Sequence, residues 1–529
     1  MPWNNLDIHL EKQQYQITSM QETCTTLFAS ILNPFFAMSS AAKSFSFLCL
    51  GTYPNPRDVI HCDVAIIGGG SSGTYAAVRL QDHGKSVAII EKGPSLGGHA
   101  DSYTDPESGQ RINLGVMEFE DQPLVHKYFR RLGVELEPLT TANIYSTSKP
   151  LDFATGKVVA GYPGHSSAMI YAALKAYLEQ AEKYPYLDEG FEKMPSPVPP
   201  DLLLEFGHFV QKYSLEPAMA VIQKYTGGNG DVLRLPTMYV IKLLNAPVVK
   251  AIMNNTFLQA GTSGVSSVLY DRALALLDSS SSSTVLLSSV ASGIRRRPTQ
   301  SKRPGSDSPL ISIFAQTPTG SKLILCRAVL ISVPPLISQL PFLELSAEEK
   351  SLFSRFSYAA YYTGLVRDAH LPRNTSWSNI SRDLPYAMPA SPCVYGLFWT
   401  GVGDIWDVKV GSDEELEEDE VTDLIMAAVR TIKQSEGVVV HGQDAETEIV
   451  ALKSHAPFQM TVGVQDVEAG FYGKLMALQG KRATWWTGAA WAQQDSAAVW
   501  KYTEEQVLPD LLERLNSDEK GSRGNHFED

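Results

Sequence analysis

Three glycines and one acid carry chemistry most plainly in this chain, within DVAIIGGGSSGTYAAVRLQDHGKSVAIIE at residues 63–91. Gly68, Gly70 and Gly73 form G-x-G-x-x-G after one apolar run, and Glu91 closes a second. The chemistry this spacing serves is dinucleotide binding. Gly68 permits a tight turn out of a strand, Gly70 lets backbone approach a pyrophosphate, and Gly73 lets the following helix pack against the sheet. That helix aims free N–H groups and its positive dipole end at phosphates. Glu91 stands where a carboxylate accepts hydrogen bonds from both ribose hydroxyls and repels a 2′-phosphate. Ser72 in the same turn and Lys92 beside the acid are further expected cofactor contacts. A lone glycine-rich turn is weak, but two flanking apolar strands and an acid at this distance make a fingerprint.

The residues that follow select the dinucleotide. Gly97-Gly98, after a short polar loop, is the second glycine signature of proteins that bind FAD in an extended form. Leu114-Gly115-Val116, followed by Met117, is a small-residue break that lets backbone pass beside a flat ring or simply makes a turn. A flavin accepts the hydride itself, so no charged side chain is required, and the catalytic residues stay unassigned. In TWWTGAAWAQQDSAAVW (484–500), Gly488 allows close approach, Trp491 joins the cofactor contacts, and a following helix start stabilises charge on a reduced flavin. Trp485 and Trp486 form either an apolar wall over the ring or part of the core. Tyr472, Phe458 and Tyr361 are further candidates for the pocket wall.

Together these tracts resemble the flavin-containing amine oxidase superfamily, most nearly its fungal branch similar to beta-cyclopiazonate dehydrogenase, and more distantly the flavin-dependent polyenoic fatty acid isomerases. The resemblance covers roughly residues 59–512 and is strongest at the two ends. It implies an α/β fold in which a Rossmann-like FAD-binding domain is interleaved with a mixed α+β substrate-binding domain. It also implies that backbone at Val290 passes the adenine. His99 follows Gly98 where amine oxidases often carry arginine, and it contacts phosphate or flavin or caps the turn. Three departures stand out: the lysine that approaches the flavin in many amine oxidases falls near Tyr361-Tyr362 and is missing, an acid of the C-terminal phosphate motif is replaced by Ala490, and the cysteine tract that attaches flavin covalently is absent. Noncovalent FAD is therefore expected.

Stepping outward to the elements that must hold these residues, 529 residues suffice for two cores. A net charge of −14 argues against a nucleic-acid surface. The five cysteines form no C-x-x-C pair, so neither zinc nor a dithiol centre is indicated, and no other metal is expected. Residues 1–58 read as an extension with a degenerate signal-like segment, too interrupted to span a bilayer, which leaves a cytoplasmic or a secreted destination open. FAD segments are expected at 59–139, 258–335 and 451–515, substrate-domain segments at 140–257 and 336–450, and a disordered tail at 516–529. Helices are predicted over 123–132, ending at Gly133, and over 164–180, 201–213 and 421–433. TVLLSSVASGIRRR reads as one strand, the basic tract 295–303 as an exposed hairpin loop, the acidic tract 413–420 as a solvated face, and His208 as a core histidine.

GTSG and GGNG lack the strand and helix that a second nucleotide site requires. The chain accordingly reads as an FAD-dependent oxidoreductase that takes hydride from an activated C–H bond of a small, mainly apolar molecule, plausibly in secondary metabolism, with oxygen or another electron acceptor. The resemblance adds an alternative, a double-bond isomerase of a polyunsaturated fatty acid. A flavin-binding protein without turnover is the third reading.

Overall fold

The computed structural model describes residues 56–140, 146–296, 311–438 and 447–524, so the expectations for residues 1–55 and 525–529 lie outside them, while residues 516–524, expected to be disordered, continue the helix Leu508–Gly524. The apolar run before Gly68 becomes β1 (Val59–Ile67) and the run before Glu91 becomes β2 (Val87–Ile90), with helix α1 (Ser71–Asp82) between them. Every residue of β2 is buried, as in a parallel strand covered on both faces. Four further strands complete the same sheet: β3 (Ser283–Leu286), β4 (Val290–Arg296), β5 (Ile311–Thr317) and β6 (Gly320–Ile331). Their spatial order is β4-β5-β6-β1-β2-β3, and β7 (Thr484–Trp486) pairs parallel with the end of β6. Chain segments far apart in sequence thus build one Rossmann-like sheet.

The tract TVLLSSVASGIRRR forms two strands, not one. Its break falls at 287–289, where Ser288 takes φ 49° and the N–H groups of Ser288 and Ser289 donate to the carbonyls of Gly93 and Glu91. Long-range backbone pairing therefore overrides an otherwise continuous β-branched run.

A second sheet runs in the order Thr447–Ser454, Ala360–Asp368, Ile405–Ser412, Cys393–Trp399, Thr375–Asn379, Thr147–Asp152, Lys157–Val158. The expected boundary at 450 falls inside its first strand. Side chains alternate between its faces. Trp406, Val408 and Val410 pack under the amphipathic helix Glu418–Ser435, whose first turn carries the acidic tract and a capping box from Glu417 and Glu420. Leu365 and Ile405, on the other face, pack against Ile112 and Leu114 of the cofactor half. This alternation turns Tyr361, Thr363, Asp407 and Lys409 away from the helix, toward the site.

Between the sheets lies a helical segment. The helix expected over 123–132 is Pro123–Leu132, closed by Gly133 in the left-handed region at φ 65°. The helix expected over 201–213 is broken into Pro200–Leu203 and Phe206–Tyr213, because the chain extends at Leu204 and Glu205, where the Leu204 carbonyl accepts from Thr237 N–H at 2.8 Å and Phe206 N–H donates to the Leu235 carbonyl at 2.9 Å. His208 is exposed on that second helix, with its side chain near Glu205, and is not a core histidine.

Arg296, taken from sequence as part of an exposed basic loop, is buried. Its guanidinium forks onto both Glu349 oxygens at 2.7 and 2.9 Å and also donates to the Glu344 carbonyl. The side chains of the pair are 0% and 4% exposed. Removing one partner strands the other charge in the interior, so Glu349→Ala is expected to lower unfolding free energy by about 3–5 kcal/mol in urea titrations. A loss below about 1 kcal/mol, typical of a surface pair, would contradict this placement.

Candidate functional site

The glycine turn and Glu91 meet at the carboxyl ends of β1 and β2, where nucleotides bind open α/β sheets. Gly68 has φ +99°, and a Cβ on it would lie 2.7 Å from Ser332 Oγ. A Cβ on Gly73 would lie 2.1 Å from the Gly68 carbonyl oxygen, so α1 can sit this close only without a side chain there. Gly70 differs: a Cβ on it would meet nothing within 4 Å, and its φ of −66° suits any residue. Folding alone does not demand glycine at that position. A group passing close over the turn would.

Glu91 is held from two sides. Its Oε2 accepts from Gly69 N–H at 2.6 Å and its Oε1 from Gly93 N–H at 2.6 Å. Both oxygens keep further lone pairs for ribose hydroxyls. Val290, 51% exposed, follows the Ser288–Ser289 backbone that binds the Glu91 and Gly93 carbonyls, so it stands at the rim beside the acid. Lys92 is exposed alongside Glu91. Gly97 N–H donates to the Gly69 carbonyl at 2.8 Å, and a Cβ on Gly98 would come within 3.1 Å of Gly70 Cα, so the two glycine loops form one cradle. Ser72 is buried at the start of α1, and a Cβ on Gly488 would lie 3.6 Å from its Oγ. The cradle and the C-terminal turn are thus neighbours, and the residues present fit an extended FAD.

At the expected ring end, Gly115 has φ +133°, and a Cβ on it would strike the His99 carbonyl oxygen at 2.1 Å. Val116 and Met117 follow, partly exposed. His99 stacks on His455 at 4.3 Å, and Tyr361 and Phe458 close the same cluster at ring distances of 5.0–5.9 Å. Burial, helped by the Lys92 charge, pulls His99 down to about 4, and burial holds His455 well below its usual value, so the stacked imidazoles are neutral. Behind Tyr361, Lys409 pairs with Asp407 at 2.8 Å and donates to Thr363 Oγ1 at 3.0 Å. A lysine therefore does approach this wall, from the neighbouring strand.

The tryptophans resolve toward core. Trp485 is 2% exposed and its indole N–H donates to Asp510 at 2.7 Å; Trp486 is fully buried, edge-on to Phe353 and stacked on Trp491. Tyr472 is buried too, stacking on Phe191 at 3.7 Å with its hydroxyl 2.8 Å from that of Tyr239. The helix expected directly after Gly488 begins later: 489–492 is a turn anchored on the Gly488 carbonyl, and helix α2 (Ser496–Tyr502) starts only after the Asp495 cap, whose Oδ1 accepts from Ala498 N–H at 2.8 Å.

Three acids escaped the sequence reading. Glu118 and Glu120 follow the Gly115 break, and Asp495 approaches them from the other end of the chain. Burial, reinforced by Asp495, pushes Glu120 up to about 9, and burial pushes Glu118 up to about 7. Asp495 is itself raised by burial, against the backbone N–H groups it caps. The Glu120–Asp495 pair consequently holds a proton at neutral pH. The alternating acids in MEFED were the only local signal.

Against known proteins, residues 66–132 match the NAD(P)-binding Rossmann-like domain family. The FAD-dependent oxidoreductase oblC of Cochliobolus heterostrophus is 35% identical over 87% of this chain and 93% of its own. The beta-cyclopiazonate dehydrogenase of Aspergillus oryzae is 32% identical over 88% and 96%. The chain belongs to this family of FAD-dependent oxidoreductases. Among solved structures, the CLA-producing fatty acid isomerase from P. acnes superposes with a TM-score of 0.66 at 18% identity, covering 85% of this chain and 98% of its own, and putrescine oxidase bound to putrescine with 0.55 at 14%, covering 86% and 100%. The fold is accordingly that of amine oxidase-like flavoproteins. No helix among the described residues is long and apolar enough to cross a membrane.

The acid pair gives a signed pH dependence. Unfolded Glu120 ionises near 4.5, whereas folded Glu120 keeps its proton to about 9, so the unfolded state releases protons first and stability falls as pH rises through that window. Glu120→Gln, neutral throughout, is expected to flatten the loss and to raise the urea midpoint at pH near 8 relative to wild type. Parallel pH profiles for the two proteins would contradict the protonated pair.

Proposed function

We propose that this protein binds FAD noncovalently and oxidises a small, mainly apolar molecule by removing a hydride from an activated C–H bond. The observation that carries this reading is the cradle in which two backbone N–H groups fix Glu91 beside a Gly70 that packing alone would not require. Bound FAD supplies the two-electron acceptor.

The chain's own residues bind, orient and dry the site. Glu91 takes the ribose hydroxyls of the adenosine half, Val290 covers the adenine, and the N–H groups at the start of α1 take the pyrophosphate. Gly98 with His99, and Gly115 with Val116 and Met117, line the path toward the ring, where Ser72 and Gly488 close the opposite side. Trp491 supports that turn from the core. Tyr361 and Phe458 present aromatic faces that hold an apolar substrate and exclude water. Neutral His99 and His455 add bulk without charge.

The relatives named for beta-cyclopiazonate dehydrogenation make a substrate from secondary metabolism the natural first choice. Mixing the FAD-loaded protein anaerobically with candidate substrates is the test: lasting loss of the yellow flavin absorbance, restored by air, is expected. A shifted double bond without lasting bleaching would instead make the protein an isomerase, and inertness toward broad panels despite bound FAD would make it a flavin binder.

A further inference from the structure

Lys242 sits on the helix Thr237–Leu243 and is 3% exposed. One of its three N–H donors goes to the Leu187 carbonyl at 2.8 Å, and its nitrogen stands 4.5 Å from the centre of the Phe191 ring. No ion pair holds it among the described residues. Asp188 attracts it, but Asp188 is shared with Lys501, Lys250 and the opposing charge of Glu189. A buried ammonium without a close counter-charge is costly, and here burial brings Lys242 down to about 7.

Gln493 shares a cavity with it. Neither amide atom of Gln493 has a hydrogen-bond partner, although the residue is only 6% exposed. The cavity is small, about 10 Å³ and so room for one water-sized group, and Phe191, Tyr239, Gln459 and Ala489 are among the residues that line it. Ala489 directly follows Gly488, the residue expected at the ring end of the cofactor. A lone cationic donor and an orphaned amide thus face the same small space beside the proposed reaction site. That space admits one small polar group, such as a single oxygen.

We propose that Lys242 and Gln493 form an anion subsite that receives a negatively charged oxygen of the substrate, a carboxylate or an enolate, with the ammonium as counter-charge and the amide N–H as second donor. This rests on the oxidoreductase reading above and narrows its substrate to apolar acids. Charge-assisted hydrogen bonds of this kind are stronger than neutral ones, which makes the subsite a device for choosing acids over their neutral counterparts. Lys242 is a binding residue here and does not exchange a proton with the substrate.

The test is calorimetric titration of the full FAD-loaded chain near neutral pH with decanoate, with the enolate of 5,5-dimethylcyclohexane-1,3-dione, and with decanol. Wild type is expected to hold at least one anion about tenfold more tightly than decanol; Lys242→Met loses that tenfold preference while its decanol binding stays level, Lys242→Arg restores part of it, and Gln493→Leu weakens the anion severalfold. Which anion is held tells carboxylate from enolate. Wild type that does not prefer either anion, Lys242→Met that keeps the preference, or Lys242→Met that sheds FAD instead would overturn the assignment, the last by giving the lysine to the cofactor. Should Lys242→Met fail to fold, the wild-type preference and its loss in Gln493→Leu decide. A chain that takes up no FAD yet binds the anions through Lys242 would defeat the oxidoreductase reading and leave this subsite standing.

Discussion

A carboxylate pinned between two backbone N–H groups is the interaction on which the rest of this structure depends. Glu91 binds Gly69 on the first glycine loop and Gly93 on the next turn, and so locks the end of β2 to the end of β1. Charge-assisted bonds to backbone are strong and directional, and here they fix the acid's rotamer before any ligand arrives. The Gly93 and Glu91 carbonyls then capture the N–H groups of Ser288 and Ser289, which breaks the chain between β3 and β4 and sends β4 across the sheet. The Glu91 side chain and the backbone beside it therefore tie together three segments separated by about two hundred residues of sequence. The same preorganisation lowers the cost of binding a nucleotide there.

The second constraint is the alternation of the second seven-stranded sheet. Its helix-covered face is filled by Trp406, Val408, Val410 and the apolar stripe of Glu418–Ser435, which leaves the opposite face for Tyr361, Thr363, Asp407 and Lys409. A register slip of one residue would exchange the two sets and put a buried ion pair against the apolar helix. Packing of Leu365 and Ile405 on Ile112 and Leu114 fixes how this face meets the cofactor half. The site wall is a consequence of that packing and needs no separate design.

What could be read without coordinates was whatever rests on local chemistry. G-x-G-x-x-G, Glu91 and the Gly133 helix stop each impose their geometry within a few residues, and each stands where local reasoning places it. What could not be read depends on distant partners. Nothing in TVLLSSVASGIRRR marks a break, because its cause is the backbone of residues 91–93. Arg296 looks like part of a solvated basic run until Glu349, 53 positions away, is seen to bury it. Glu120 becomes a protonated acid because the fold buries it and brings Asp495 beside it from the far end of the chain. Lys242 carries no motif, and nothing in the tract around Gln493 points to it; their shared cavity exists only in the folded chain. Trp485 and Trp486 were ambiguous for the opposite reason, since an indole serves a wall or a core equally well until its burial and neighbours are known.

The most direct measurement is the flavin content of purified wild type and Gly70→Val, read by absorbance and by mass spectrometry of the filtrate after acid denaturation. Wild type is expected to release intact FAD into the filtrate, while Gly70→Val keeps the unfolding midpoint of FAD-free wild type and carries none. Flavin that stays with the precipitated chain, a colourless wild type that refuses added FAD, or a fully loaded Gly70→Val would contradict the account.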